Sequence, residues 1–220
     1  MLPRLYVGSK NYSSWSMRPW LVLTWAGVAF EEQVIPLGPR GGGVNPAIAA
    51  ISPTATVPVL HLPSGQVIWD SLAICEWAAE ERPEAELWPR DRGLRALARS
   101  AVCEMHAGFA RLRQDLPMNM RRRAPARPIA SDVAAQRDRI AALWERCQGA
   151  AGGGPFLFGA RPTIADAFYA PVATRFRTYG VELPAPAQAY VEAILGAAAV
   201  RIWEDGALQD PTQMGDIDDL

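Results

Sequence analysis

The sequence predicts an α/β domain over residues 1–83 followed by an all-α domain over residues 90–220. Short β-type runs alternate with helical runs in the first part, whereas beyond it apolar residues recur at steps of three and four and no convincing strand is found. The stretch from Pro83 to Pro89 between them is typical of a linker. A chain of 220 residues is long enough for two modest domains.

The α/β part opens with a predicted β-α-β unit. Arg4–Val7 and Gln33–Ile35 are the strands, and Met17–Ala26 is the helix between them. Pro19 is expected in the first turn of this helix and Gly27 at its C-terminal cap. Because a helix makes the connection, the two strands are predicted to run parallel.

A second group of elements completes this part. A loop with a helical turn near Ala47–Ile51 leads to a predicted hairpin of strands Val57–Leu62 and Gln66–Trp69. Asp70 then offers an N-cap to a helix that includes Leu72–Ala78. The predicted order is therefore β-α-β, loop, β-β-α.

The remainder is predicted to be helical. Apolar residues at helical spacing predict one long amphipathic helix over Leu94–Leu116. Ser131 is expected to cap a second helix, and Thr163–Asp166 has the form of a capping box that opens a third. Shorter helices are expected after Pro186, and the polar tail after Asp210 is expected to be frayed.

Composition argues against several classes of partner. The net charge is -1, and Lys10 is the only lysine, so a nucleic acid or an anionic membrane is not expected. No apolar run approaches the roughly 18 residues of a membrane span. The preference for arginine over lysine and the many alanines hint at a GC-rich bacterial genome. We expect a cytoplasmic bacterial protein.

The sequence also has few residues that could form disulfides or bind a metal ion. The cysteines, Cys75, Cys103 and Cys147, are far apart and odd in number, so they are interpreted as small buried apolar residues in a reducing compartment. His61 and His106 are the only histidines. No metal site is predicted.

Four motifs carry a resemblance to a known family. They are Ser13–Arg18 at the first helix, Val57–Pro58 at the third strand, Asp70–Ile74 at the next helix and the Thr163–Asp166 box. In this order and at this spacing they resemble the cytosolic glutathione transferase superfamily over nearly the whole chain. The serine motif looks most like the zeta class, which includes maleylacetoacetate isomerases, although that class usually has cysteine where Trp15 stands.

The resemblance implies a thioredoxin-like N-terminal domain, a helical C-terminal domain, glutathione as co-substrate and a homodimer. Glutathione must ionise to attack an electrophile, and lowering a thiol pKa of about 8.5 by about two units requires roughly 2.7 kcal/mol. A hydroxyl at a helix N-terminus can supply this. The resemblance gives that role to a serine: alignment on Arg18 selects Ser14, and alignment on the first serine selects Ser13. We favour Ser14; helix capping is the alternative role of both serines.

The resemblance also implies the residues that hold glutathione. Val57 would pair through its main chain with the cysteinyl part, beside a cis Pro58. Asp70 and Ser71, which also form an N-cap, would hold the γ-glutamyl end. Two more residues, Trp15 and Thr56, complete the predicted set. Thr56 stands where the family often has a longer side chain for the glycyl carboxylate, and Arg40 is a candidate substitute.

Other polar residues have simpler interpretations. The second substrate is expected between the domains, near Met118–Arg121 and against Trp15. For Arg121–Arg123 a solvated basic turn is favoured over recognition of an acidic substrate. His106 is interpreted as a structural histidine on a core-like helix face. Thr163 and Asp166 are interpreted as structural.

The predicted function is that of a glutathione S-transferase-like enzyme in which a serine-stabilised thiolate attacks a small electrophile. Conjugation, cis-trans isomerisation of the maleylacetoacetate type and peroxide reduction share this first step and remain open. A non-catalytic binding or regulatory member of the fold is the alternative from another class.

Overall fold

The computed structural model describes residues 1–126 and 128–220. Its sheet contains β1 (Arg4–Gly8), β2 (Glu31–Ile35), β3 (Val59–His61) and β4 (Val67–Ile68) in the order β2-β1-β3-β4. The first two strands are parallel, as predicted, and the other pairs are antiparallel. This is the sheet expected from the β-α-β and β-β-α order.

Helix α1 (Ser14–Trp25) begins earlier than predicted, so Pro19 lies in its interior and not in its first turn. The Met17 N–H already bonds to the Ser13 carbonyl at 3.2 Å, which starts the helical ladder upstream. The predicted end is confirmed. Gly27 has a φ of +65°, and the Val28 N–H returns to the Leu23 carbonyl at 3.1 Å in a Schellman arrangement.

Two further helices belong to this half of the chain. The short α2 (Pro46–Ala49) precedes the hairpin, and α3 (Ser71–Glu81) follows it, with Asp70 as the predicted N-cap. A single 3₁₀ turn at Pro83–Ala85 leads on toward Asp91. Helix α1 packs against both α3 and the helical half, and buried residues from both halves belong to one continuous apolar core.

The helical half contains α4 (Arg92–Ala107), α5 (Ala110–Asp115), α6 (Ser131–Ala150), α7 (Ile164–Thr178), α8 (Ala185–Gly196), α9 (Ala198–Gln209) and α10 (Gly215–Asp218). The prediction of one helix over Leu94–Leu116 was wrong. Phe109 has a φ of +56°, and a Cβ at Gly108 would lie 2.6 Å from the Glu104 carbonyl oxygen, so the chain turns here. Ser131 does not cap α6, because Ala130 occupies the N-cap position.

Helix α7 runs through the centre of the helical half and is buried along nearly its whole length. Its predicted capping box is present. Asp166 accepts hydrogen bonds from the Thr163 backbone at 2.7 Å and the Thr163 hydroxyl at 2.9 Å, and also from the Leu157 N–H at 2.9 Å. Arg175 and Phe168, which are described with the candidate site below, lie on the same helix.

The C-terminal segment is not frayed, contrary to prediction. Residues 210–220 fold back over the loop between β1 and α1. The Tyr12 hydroxyl donates to Asp218 Oδ2 at 2.7 Å, Arg121 Nη2 donates to the Tyr12 hydroxyl oxygen at 2.7 Å, and Arg40 Nε donates to Asp216 at 2.9 Å. Hydrogen bonds from residues distant in sequence therefore fix the position of a C-terminal segment whose polar composition predicts fraying.

Lys10 anchors α9 to the β1–α1 loop. Its Nζ lies 5.1 Å from the ring centroids of both Trp20 and Trp203 and 2.7 Å from Glu32 Oε1. We expect Lys10→Met to lower the unfolding free energy by about 1–2 kcal/mol, because the cation–π contacts are largely shielded from water. Urea denaturation measures this. Arg4→Met, which removes an exposed ion pair with Glu31, is the control and is expected to change nothing measurable.

Candidate active site

A cavity of about 310 Å³ lies between the N-terminal ends of α1 and α3 and the end of α4. All the residues predicted to bind glutathione line it, together with His106: Trp15, Thr56, Val57, Pro58, Asp70 and Ser71. Four separate segments of the chain therefore meet around one space.

The wall before β3 presents free main-chain groups. The peptide bond between Val57 and Pro58 is cis, as the family resemblance implies. Within the described residues, neither the N–H nor the carbonyl of Val57 has a hydrogen-bond partner. An extended peptide in the cavity could therefore pair with this residue in the manner of an added strand.

The N-terminus of α3 places a carboxylate next to hydrogen-bond donors. Asp70 Oδ1 accepts from the Leu72 N–H at 2.9 Å, and Asp70 Oδ2 lies 3.0 Å from His106 Nε2. The Ser71 hydroxyl is buried and has no protein partner among the described residues. A carboxylate acceptor beside a free hydroxyl and helix N–H groups suits the zwitterionic end of an amino acid.

The two candidate serines are bonded differently. Ser13 is the N-cap residue of α1, and its hydroxyl donates to Ser16 Oγ at 2.8 Å. Ser14 is the first helical residue, and its oxygen accepts from Arg175 Nη2 at 3.2 Å. Both serines are buried, and neither lines the cavity. The hydroxyl hydrogen of Ser14 remains available for an anion, whereas that of Ser13 is engaged.

Trp15 separates the cavity from a group of arginines. The Arg18 guanidinium carbon lies 3.8 Å from the Trp15 ring centroid, and that of Arg113 lies 5.0 Å from it. Arg18 is fully buried, and none of its three guanidinium nitrogens has a hydrogen-bond partner among the described residues. The guanidinium group instead makes cation–π contacts with the rings of Trp15 and Phe168.

Arg18, Arg113 and Arg175 form a cluster of unneutralised positive charge, which we call the arginine cluster. Burial lowers the pKa of Arg18, and repulsion from Arg175 and then Arg113 lowers it further. Burial and the charge of Arg113 likewise lower the pKa of Arg175. In residues 1–126 and 128–220, no carboxylate lies within ion-pair distance of these guanidinium groups. An anion bound beside these guanidinium groups would offset the repulsion between their positive charges and the free energy lost by burying them.

His106 is the cavity residue that the sequence interpretation missed. It was interpreted as structural, yet it lines the cavity and reaches Asp70 across the two halves of the chain. A polar side chain on an otherwise apolar face of α4 was the available signal. Its partner, Asp70, could not be identified from the sequence because the contact joins residues 36 positions apart.

Other predicted polar residues lie elsewhere. Arg40, the candidate substitute for the glycyl carboxylate contact, instead binds Asp216 and the Gln114 carbonyl. The basic turn is only partly solvated. Arg123 is exposed, but all three side chains donate to the C-terminal tail or to α9: Arg121 to the Asp210 carbonyl, Arg122 to the Asp218 carbonyl and Arg123 to Glu204. Cys75 and Cys147 are buried as expected, but Cys103 is exposed.

Comparison with known families identifies the chain. Residues 12–81 match the model of the glutathione S-transferase N-terminal domain, and residues 128–205 match that of the C-terminal domain. The chain belongs to the glutathione S-transferase family. This membership confirms the predicted fold class and the predicted glutathione-transferase type of enzyme.

Individual glutathione S-transferase relatives agree. A maleylpyruvate isomerase of Ralstonia sp is 29% identical over 206 residues, which cover 85% of this chain and 92% of that protein. The theta class glutathione S-transferase of Xanthomonas axonopodis pv. citri, solved with glutathione bound, is 25% identical with a TM-score of 0.64, over 94% of this chain and 97% of that one. A glutathione transferase homologue from Burkholderia with bound glutathione is 24% identical with a TM-score of 0.69, over 94% and 98%.

The described residues contain no helix long and apolar enough to cross a membrane. They also contain no group of three or more histidine, cysteine, aspartate or glutamate side chains that could hold a metal ion.

Proposed function

We propose that this glutathione S-transferase adds the glutathione thiolate to an unsaturated, carboxylate-bearing substrate and returns its trans isomer. The observation that carries this proposal is the arginine cluster, which lies behind Trp15 and beside Ser14 without a carboxylate partner. Positive charge without a carboxylate partner among the described residues is costly, so an anionic substrate suits this position better than a neutral electrophile. The 29% identity to a maleylpyruvate isomerase supports the same substrate class.

We propose one orientation for glutathione in the cavity. Its γ-glutamyl carboxylate would meet the Ser71 hydroxyl and the first N–H groups of α3, and its ammonium group would meet Asp70. The cysteinyl part would pair with the main chain of Val57. This orientation directs the thiol toward the N-terminus of α1, where the helix dipole favours a negative charge.

Ser14 is the residue we propose for stabilising the thiolate. Its oxygen accepts a hydrogen bond from the Arg175 guanidinium, which makes the hydroxyl a stronger donor. A hydroxyl polarised in this way can contribute a large part of the roughly 2.7 kcal/mol that a thiol pKa shift of about two units requires. Ser13, with its hydrogen committed to Ser16, is the second candidate.

The isomerisation leaves glutathione unchanged. The thiolate sulfur adds to one carbon of the cis double bond, and the π electron pair moves onto the conjugated carbonyl oxygen. Rotation about the resulting single bond then precedes return of the electron pair and expulsion of the thiolate. The arginine cluster would hold the substrate carboxylate and stabilise the enolate charge during this rotation.

The test is turnover of maleylpyruvate by the purified protein with catalytic amounts of glutathione. We expect glutathione-dependent isomerisation without consumption of glutathione, and weaker conjugation of the neutral electrophile 1-chloro-2,4-dinitrobenzene. Conjugation alone would contradict the isomerase assignment. Absence of both activities in a protein that still binds glutathione resin would favour the non-catalytic alternative.

Arg113 allows the arginine cluster to be tested without touching Ser14. We expect Arg113→Gln to raise KM for maleylpyruvate about tenfold, because a charge-assisted hydrogen bond contributes about 1.5–3 kcal/mol. The KM for a neutral electrophile should not change. Arg111→Gln is the matched control on α5, since this exposed arginine pairs with Asp132 on the opposite side. Equal effects of both substitutions would contradict the proposal.

Other sequence predictions remain proposals. We propose domains at residues 1–83 and 90–220, a homodimer, a cytoplasmic location and a bacterial source. The exposed Trp69, with 44% of its surface accessible, is a candidate contact between subunits. Light scattering coupled to size-exclusion chromatography tests the dimer, and Trp69→Glu should shift it toward the monomer. Neither nucleic acid nor a membrane is proposed as a partner.

A further inference from the structure

Both oxygens of the Asp70 carboxylate are held before any ligand binds. Oδ1 accepts from the Leu72 N–H, as an N-cap does, and Oδ2 lies 3.0 Å from His106 Nε2. A carboxylate only accepts, so Nε2 carries the hydrogen of this bond. The Asp70 side chain remains half exposed, at 53%, and without His106 only the cap bond would orient it.

His106 is itself fixed by aromatic contacts from two other helices. Its ring centroid lies 5.2 Å from that of Trp15 on α1 and 6.1 Å from that of Phe168 on α7. Its other ring nitrogen, Nδ1, is buried without a partner among the described residues. The bond to Asp70 is therefore the polar contact that determines the orientation of the ring.

We infer that His106 is a positioning residue for glutathione, holding the Asp70 carboxylate in the orientation that receives the γ-glutamyl ammonium group. The inference rests on the proposed glutathione site. It adds a contribution of the helical half to a subsite otherwise formed by the N-terminal half. It also gives a polar role to a residue that the sequence interpretation left as structural.

The physical basis is preorganisation. If a half-exposed carboxylate must be ordered when the ligand binds, the lost side-chain freedom offsets part of the binding free energy. His106 removes this cost in advance and leaves the outer face of Asp70 open to the cavity. The benefit depends on the ligand's amino group, because the ligand carboxylate, cysteinyl and glycyl parts make no contact with Asp70 in the proposed orientation.

The decisive experiment compares two ligands on three proteins by calorimetry. The ligands are glutathione and glutaryl-Cys-Gly, which lacks only the amino group. The proteins are the wild type, His106→Phe and His106→Gln; the glutamine amide nitrogen can replace Nε2 as a donor. We expect His106→Phe to weaken glutathione binding about tenfold, as loss of about 1.4 kcal/mol implies, and to leave glutaryl-Cys-Gly within about twofold. His106→Gln should restore glutathione affinity.

The results of these binding measurements distinguish failure of the inference from failure of the proposed function. Equal weakening of both ligands in His106→Phe, or no weakening of either, would overturn the inference while leaving the proposed function intact. Failure of His106→Gln to restore affinity in a folded protein would overturn it as well. Failure of the wild type to bind glutathione would overturn the proposed function, and the inference with it. In steady-state kinetics, we expect His106→Phe to raise the KM for glutathione and to leave kcat unchanged.

Discussion

Replacement of Ser14 by alanine is expected to lower kcat/KM at neutral pH about 100-fold, the usual cost of losing one preorganised hydrogen-bond donor to a developing anion. The structure leaves the Ser14 hydroxyl hydrogen free and polarises it through Arg175. A hydroxyl in the proposed role would stabilise the thiolate more than the thiol, so its loss should raise the pKa of bound glutathione. Activity of the variant should therefore recover partly at alkaline pH.

The measurements are the pH profile of kcat/KM and the ultraviolet absorbance of the thiolate in the binary complex. Ser13→Ala is the matched control on the adjacent residue. Its hydroxyl donates to Ser16, so its removal should cost much less activity and should not shift the profile. The assignment would be reversed if Ser13→Ala abolished activity while Ser14→Ala retained the wild-type kcat/KM.

The parts of the site that the sequence predicts are those with local signals. Val57 and Pro58 precede a strand, Asp70 and Ser71 start a helix, and Trp15 follows a pair of serines. Each motif has a recognisable backbone geometry within a few residues, and family resemblance fixes the order of the motifs. The structure places them around one cavity because the β-α-β and β-β-α elements form the expected sheet.

The parts that the sequence could not predict depend on contacts between distant segments. The arginine cluster combines residues of α1, α5 and α7. Its interpretation depends on the absence of a carboxylate partner among the residues that the structure describes, which spacing along a chain does not reveal. The Tyr12 to Asp218 bond that orders the tail joins residues at opposite ends of the sequence. The break at Gly108 and Phe109 was missed because apolar periodicity continues across it and hides the turn.

The largest effect on stability is expected at Asp166. This fully buried carboxylate accepts bonds from Thr163 twice, from the Leu157 N–H and from the Tyr190 hydroxyl on α8 at 3.2 Å. Alanine would leave these donors buried and unpaired, and each such group costs about 1–3 kcal/mol. We expect Asp166→Ala to lower the unfolding free energy by about 3–5 kcal/mol, measured by urea denaturation.

Asp91→Ala provides the comparison, because Asp91 caps α4 through a single bond to the Leu94 N–H at an exposed position. Its loss should cost about 1 kcal/mol, as for an ordinary N-cap. If Asp166→Ala cost no more than this, the four-bond network would contribute nothing beyond a cap. Asp166 lies outside the cavity, so kcat per folded molecule should be retained below the melting transition. A fall in both stability and kcat per folded molecule would instead indicate that the cap also sets the position of Arg175, nine residues beyond Asp166 on the same buried helix.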